Sequence, residues 1–246
     1  MYEDKPLILG HRGAMGSAPE NTIISFKKAL EQGADGVEFD VQMTKDGELV
    51  VIHDENIERI SGKKAMVKDL TLQEIQKYDA GSHFKKRFLG AKIPTLAETL
   101  EVVKECSVIN IEIKNGPITY PEIEEKVVQT VREFDISDKV IISSFNHNTI
   151  RKIKEISPDL HCGLLHMAGL YHPWEYAKLV GVDALHPYGL SISPETIREC
   201  HQREIKINVF GVNDKNALKR LIEYGVDIII TDYPRLALDL LEKNKD

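Results

Sequence analysis

Short runs in which apolar residues dominate or alternate with polar ones recur along the chain, separated by stretches of helical period. The strand-like runs are LILGH (7–11), GVEFDVQM (36–43), SVINIEIK (107–114), KVIISSF (139–145), LHCGLLH (160–166), VDALHP (182–187), KINVFG (206–211) and VDIIIT (226–231). Between them lie helix candidates with start signals. ENTIISFKKALEQG begins at Glu20 and Asn21, after Pro19, and stops at Gly33; those two residues read equally as helix caps or as a brace for the His11 loop. TLAETLEVVKE carries Thr95 and Glu98 at capping-box spacing, and SPETIRECHQR has Ser193 as cap with Pro194 at the first helical position. PEIEEKVVQTVREF, NTIRKIKEI, WEYAKLVG, DKNALKRLIEYG and PRLALDLLEK complete the set. Strand and helix alternating eight times in 246 residues is the size and rhythm of an α/β (β/α)8 TIM barrel; a doubly wound open sheet seldom needs so many regular units.

One stretch breaks the rhythm. Residues 44–94 follow the second strand with TKDGELVVIHD and then a loop-rich region to Pro94. Lys45-Asp46-Gly47 is a hairpin signal, so ELVVIHD should run antiparallel to the second strand, above the barrel mouth. TLQEIQKYDA (71–80) predicts a short helix within this insertion. Residues 1–246 are expected to be one domain with the insertion at about 44–94.

Strand periodicity then sorts side chains by face, since residues i and i+2 point the same way. On 36–43, Val37, Phe39 and Val41 face the helices while Glu38 and Asp40 face inward. On 107–114, Ile109, Ile111 and Ile113 face the helices while Asn110, Glu112 and Lys114 face inward. These strands are consecutive barrel members once the insertion is set aside, so three carboxylates converge on one wall. Bare, such a cluster would cost on the order of several kcal/mol per ion. One divalent cation, Mg2+ or Ca2+, would relieve it, because hard cations take oxygen ligands and no Cys or His spacing favours zinc. The competing arrangement is an internal salt bridge, with Lys114 and Arg12 neutralising the acids.

Two histidines flank this wall. His11 ends the first strand, and the hairpin returns His53 to the barrel mouth; such a pair suits general acid–base chemistry near neutral pH. Arg12 offers a planar fork and Lys114 a point charge for phosphate oxygens. Together these groups describe a phosphodiester site. Asn208 and Phe210 face inward if Ile207 and Val209 face the helices, which makes Phe210 either a substrate contact or core. His186, at a strand end before a proline, is expected near the mouth but outside the core site. HFKKRF (83–88) reads as a solvated basic loop in preference to one that leans over the pocket, and Trp174 as helix packing.

Charge and composition narrow the partners. A net charge of −7 argues against nucleic acid as the main partner but leaves room for one small phosphorylated substrate. Cys106, Cys162 and Cys200 are few, odd in number and far apart, which suggests reduced buried thiols. With no apolar run of signal-peptide or membrane-span length, the expectation is a soluble cytoplasmic protein. Nothing in the pattern specifies an oligomer.

HRGAMGSAPENT, GADGVEFDVQMTKDGELVVIHD, INIEIK, SSF and GVDIIITDYP, spread from Leu7 to about Pro234, resemble the signature of glycerophosphodiester phosphodiesterases. The joint pattern is specific where each fragment alone is weak. The resemblance implies a TIM barrel with an insertion after the second strand. It also implies metal-dependent hydrolysis of a small-molecule glycerophosphodiester to an alcohol and glycerol 3-phosphate. Carried over residue by residue, it implies metal ligands at Glu38, Asp40 and Glu112, an acid–base pair at His11 and His53, and phosphate contacts at Arg12 and Lys114. Where the family commonly reads Trp-Thr-Val-Asn, this chain has Phe210-Gly211-Val212-Asn213, a smaller aromatic wall. Three other readings stand beside it. One is a related barrel enzyme that releases a cyclic phosphate. Another is a Schiff-base aldolase on Lys114, disfavoured because neighbouring acids keep that amine protonated. The third is a non-catalytic binding protein for phosphorylated ligands.

Overall fold

The structure, a computed structural model, describes residues 5–243. Its strands in chain order are β1 (Leu7–His11), β2 (Gly36–Met43), β3 (Leu49–Val51), β4 (Val108–Ile113), β5 (Val140–Ser144), β6 (His161–His166), β7 (Ala184–Pro187), β8 (Lys206–Phe210) and β9 (Ile228–Thr231). The helices are α1 (Ile23–Glu31), α2 (Glu58–Ser61), α3 (Leu72–Ile75), α4 (Leu96–Val103), α5 (Ile123–Glu133), α6 (His147–Ile156), α7 (Pro173–Val180), α8 (Pro194–His201), α9 (Lys215–Tyr224) and α10 (Pro234–Lys243). All strands except β3 pair in parallel around a closed ring, with β9 on β1 and β1 on β2. This is the (β/α)8 barrel that the alternation predicts.

The helix signals act as expected at most starts. Thr95 and Glu98 form a reciprocal capping box on α4, and Ser193 caps α8 with Pro194 in its first turn. The first helix differs. It begins at Ile23, capped by the Thr22 side chain on the Ser25 N–H, so Glu20 and Asn21 lie outside it. Asn21 takes a left-handed backbone (φ 54°), which a helical residue could not. At the opposite end of the barrel a short recurrence appears. Asp35, Asp183 and Asp227 each precede a strand and accept the backbone N–H of Ile8, Cys162 and Ile207 in a neighbouring strand.

The core is layered as the face assignment predicts. Val37, Phe39, Val41, Ile109, Ile111, Ile113, Ile207 and Val209 belong to the large cluster between strands and helices, where Phe26 of α1 packs at 5.5 Å from Phe39. Burying each such side chain contributes about 1.5–3 kcal/mol. Inside the ring, Leu9, Ile228 and Ile230 form a smaller apolar cluster. The other side of the interior is polar, with Asn110 donating to Ser143 (2.9 Å) and Asn208 to the fully buried His186 (2.9 Å). His186 therefore sits inside the barrel rather than at its mouth. Trp174 packs as expected, 9 % exposed at α7. The three cysteines are free and buried.

The insertion has its own small core of Val50, Ile52, Ile57, Ile60, Val67, Ile75, Ala80 and Ile93. Gly47, at φ 84°, makes the hairpin turn, and β3 pairs antiparallel with β2, Val51 opposite Val41. β1 pairs with β2 only as far as Glu38, so the upper half of that edge is open to β3. The predicted helix in TLQEIQKYDA is the four-residue α3, held by a Thr71–Glu74 capping box. Among the described residues no helix is long and apolar enough to cross a membrane.

Candidate active site

β2 and β4 pair in parallel with Asp40 opposite Glu112 and Glu38 opposite Asn110. That register places Glu38, Asp40 and Glu112, all buried, with one carboxylate oxygen each within 4.8 Å of the others. The pairing depends on a close approach at the start of β2, where a Cβ on Gly36 would collide with the Val108 carbonyl.

Of the two ways of neutralising these acids, the internal salt bridges with Lys114 and Arg12 are in place, and the three carboxylates also converge closely enough to hold an ion. Lys114 Nζ lies 3.1 Å from Asp40 and 2.5 Å from Glu112, and Arg12 Nε lies 3.4 Å from Asp40. The Arg12 backbone N–H donates to Glu38 (3.0 Å), and Asn21 Nδ2 donates to Asp40 (2.8 Å). Two cationic side chains facing three buried acids leave negative charge in excess. Burial raises the Asp40 pKa, but Lys114 and Arg12 outweigh it and hold this carboxyl far below the usual range. Burial and the charge of Asp40 push Glu38 up, and burial pushes Glu112 up against the opposing pull of Lys114. Three convergent carboxylates, two of them driven up chiefly by burial, are an oxygen donor set that suits a hard divalent cation.

The histidines lie above this wall, each tied by Nδ1 to a carboxylate. His11 Nδ1 is 2.7 Å from Asp232, and its Nε2 faces Glu38 at 3.9 Å. Asp232 is itself fixed, accepting from Asn213 Nδ2 (2.7 Å) while its own N–H donates to Asn213 Oδ1 (2.9 Å). His53 Nδ1 is 2.7 Å from Asp54. A carboxylate at Nδ1 places a proton there and leaves Nε2 for chemistry. Their environments differ in sign. Burial lowers the His11 pKa, yet the Asp232 bond and Glu38 raise it overall; burial, with Lys114 and Arg12, brings His53 down against Asp40.

Around them stands a second set of charges, to most of which local sequence pattern gives no role. Glu20 accepts from Arg12 Nη1 (2.9 Å) and from Arg59 Nη1 and Nη2 (2.6 and 2.8 Å), while Arg59 also grips Asp54 through Nε (2.6 Å) and Nη2 (3.1 Å). Of the two readings of Glu20 and Asn21, helix caps or a brace for the His11 loop, the brace is what forms: they hold Arg12 and Asp40 and lie outside the helix. Asp232 and Asn213 stand inside GVDIIITDYP and Phe210-Gly211-Val212-Asn213, stretches conspicuous in the sequence, so the signal is present without a partner to interpret it. Phe210 faces inward at the barrel end, edge-on to Phe145 (5.8 Å) and near Tyr188 (6.0 Å), and Phe145 lies under Lys114 Nζ (6.0 Å). In the 83–88 segment Lys85, Lys86 and Arg87 are solvent-exposed, as expected, while His83 is close enough to feel the charges of Glu20 and Arg59.

Comparison with known proteins bears on the family and the fold. The model of the glycerophosphoryl diester phosphodiesterase family matches residues 11–236. A glycerophosphodiester phosphodiesterase of Caldanaerobacter subterraneus is 45 % identical, over 97 % of this chain and 99 % of its own. Another, of Bacillus altitudinis, is 40 % identical over 97 % and 99 %. Among solved structures, an Oleispira antarctica phosphodiesterase in complex with the product sn-glycerol-3-phosphate superposes with a TM-score of 0.88 at 26 % identity, covering 97 % of each chain.

Proposed function

The chain belongs to the glycerophosphoryl diester phosphodiesterase family, and on that premise we propose that the carboxylate–histidine cleft at its barrel mouth hydrolyses glycerophosphodiesters to an alcohol and glycerol 3-phosphate. It is an enzyme of the phosphoric diester hydrolase class. The observation that carries the chemistry is the buried Glu38–Asp40–Glu112 triad lying beneath two histidines, each oriented by its own aspartate.

Glu38, Asp40 and Glu112 would hold one divalent cation, Mg2+ or Ca2+, which when bound draws charge from a non-bridging phosphate oxygen. Arg12 and Lys114, already drawn to the acids, present cationic groups to the charge that grows on the phosphoryl oxygens during attack. Of the two Nε2 atoms, one accepts the proton of the nucleophile and the other delivers a proton to the departing alkoxide, so His11 and His53 balance the reaction between them. Asp232 and Asp54 keep each ring in the tautomer that allows this and stabilise the imidazolium form. Phe210, with Phe145 and Tyr188, provides an apolar wall against the carbon skeleton of the substrate.

The deciding experiment is a panel of glycerophosphodiesters assayed after chelation and after add-back of Mg2+ or Ca2+. Release of glycerol 3-phosphate only with metal restored supports the reading. A cyclic phosphate detected by phosphorus NMR would reassign the chemistry to a lyase, and no turnover with any metal would leave a binding protein.

A further inference from the structure

Arg59 lies on α2 of the insertion, and none of its hydrogen bonds reaches the acid triad or either histidine. All three of its guanidinium nitrogens are nevertheless committed to two carboxylates from different parts of the chain. One is Asp54, the partner of His53; the other is Glu20, the partner of Arg12. The series His53–Asp54–Arg59–Glu20–Arg12–Asp40 thus runs unbroken from one histidine to the acid wall. We propose that Arg59 is a positioning residue for this reaction, a clamp that sets the insertion-borne His53 at a fixed place relative to the barrel-borne Arg12.

The physical case rests on geometry and on what the alternatives would look like. An ordinary surface ion pair is a single mobile contact and contributes little. Arg59 instead makes two two-pronged contacts at once, and the Glu20 side chain it holds is only 9 % exposed. A planar fork with five N–H donors can make two such paired contacts at once; an ammonium, with three donors on a single nitrogen, can touch two carboxylates, as Lys114 does, but cannot supply all four bonds. Without Arg59, Asp54 would be free to rotate away from His53 Nδ1. Glu20 would keep only Arg12, whose guanidinium is also drawn to Asp40. The backbone at His53 is joined to β2 by the Ile52 N–H on the Asp40 carbonyl and by Gln42 Nε2, which donates to the carbonyls of Ile52, His53 and Asp54, so what Arg59 adds is the placement of the Asp54 side chain and, through it, of the His53 ring. A shift of about 1 Å in a reacting group can lower a rate on the order of 100-fold.

This inference rests on the hydrolase reading above, and the test separates the two. Arg59→Gln and Arg59→Lys are compared with the wild-type chain on one glycerophosphodiester with saturating metal, with thermal melting recorded for each. The expected result is a fall in kcat of about 10–100-fold in both variants, a much smaller change in KM, and a melting temperature close to wild type. Arg59→Ala should recover activity when free guanidinium is added at millimolar concentration. Glu20→Gln combined with Arg59→Gln should lose little more than the worse single variant, since both break one series. Wild-type kcat in Arg59→Gln would overturn the clamp while leaving the hydrolase reading intact. So would full activity in Arg59→Lys, or losses that multiply in the double variant. A wild-type chain inactive on every substrate and metal would remove the hydrolase reading and the clamp with it.

Discussion

His11 and His53 differ from the other histidines of the chain in being paired with aspartates at the rim of a buried acid cluster. Replacing either with alanine should lower kcat by about 10²–10⁴ while metal binding, followed by calorimetry, is largely retained. His186 makes a contrasting case. Burial, with a lesser push from His166, drives its imidazole down to about 3, so it is neutral in the folded chain. Between pH 3 and its ordinary value of 6.5 the unfolded chain binds this proton more readily than the folded one. The stability it supports is therefore complete above about pH 6.5 and is lost as pH falls towards about 3, at up to about 1.4 kcal/mol per pH unit. Urea midpoints measured from pH 7 to pH 4 should fall more steeply for the wild-type chain than for His186→Gln. Most of the reactive side chains are legible individually, because strand periodicity turns Glu38, Asp40 and Glu112 inward and a hairpin signal brings back His53. Their supports are legible only in part: Glu20 and Asn21 stand close enough in sequence to His11 to suggest a brace, whereas Asp232 and Arg59 have meaning only beside residues that local pattern does not bring to them.

At the scale of the element, the site is a consequence of one strand pair. β2 and β4 must lie at their full approach for Asp40 to stand opposite Glu112, and Gly36 permits it. Gly36→Ala drives a methyl group into the backbone of β4, which cannot yield as a side chain would. The expected cost is about 3 kcal/mol in urea unfolding, together with a higher metal concentration for half-maximal activity, since two of the ligands move apart. β3 and α2 serve a different purpose: they cap the barrel mouth on the side of the acid wall and bring His53, Asp54 and Arg59 to it. Most strand ends lie close to where the sequence predicts them because turn residues bound the strands. The first helix starts later than its sequence signal because the polar run before Thr22 has the composition of a helix start while its backbone is a loop.

For the whole molecule, an acid triad with excess negative charge links ion binding to stability. A divalent cation at a hundredfold excess over its Kd should stabilise the fold by about 2.7 kcal/mol, a rise of about 5–10 °C in Tm for a chain of this size. Glu112→Gln should remove most of that rise in a thermal melt performed with and without Mg2+ or Ca2+. An equal rise in wild type and variant would place the ion elsewhere.

Local sequence determined what depends on near neighbours: where strands and helices alternate, which face of each is apolar, where the chain turns, and so the barrel and the inward set of its acids. Those properties follow from backbone geometry over two to four residues. Closure of the barrel decided the rest. It set Asp232 against His11 across 221 positions of chain and allowed one guanidinium on the insertion to hold two carboxylates 34 residues apart. Such contacts require β1 to be paired with β9 in the one case and with β2 in the other before either partner can meet the other, and no periodicity in the sequence carries that information.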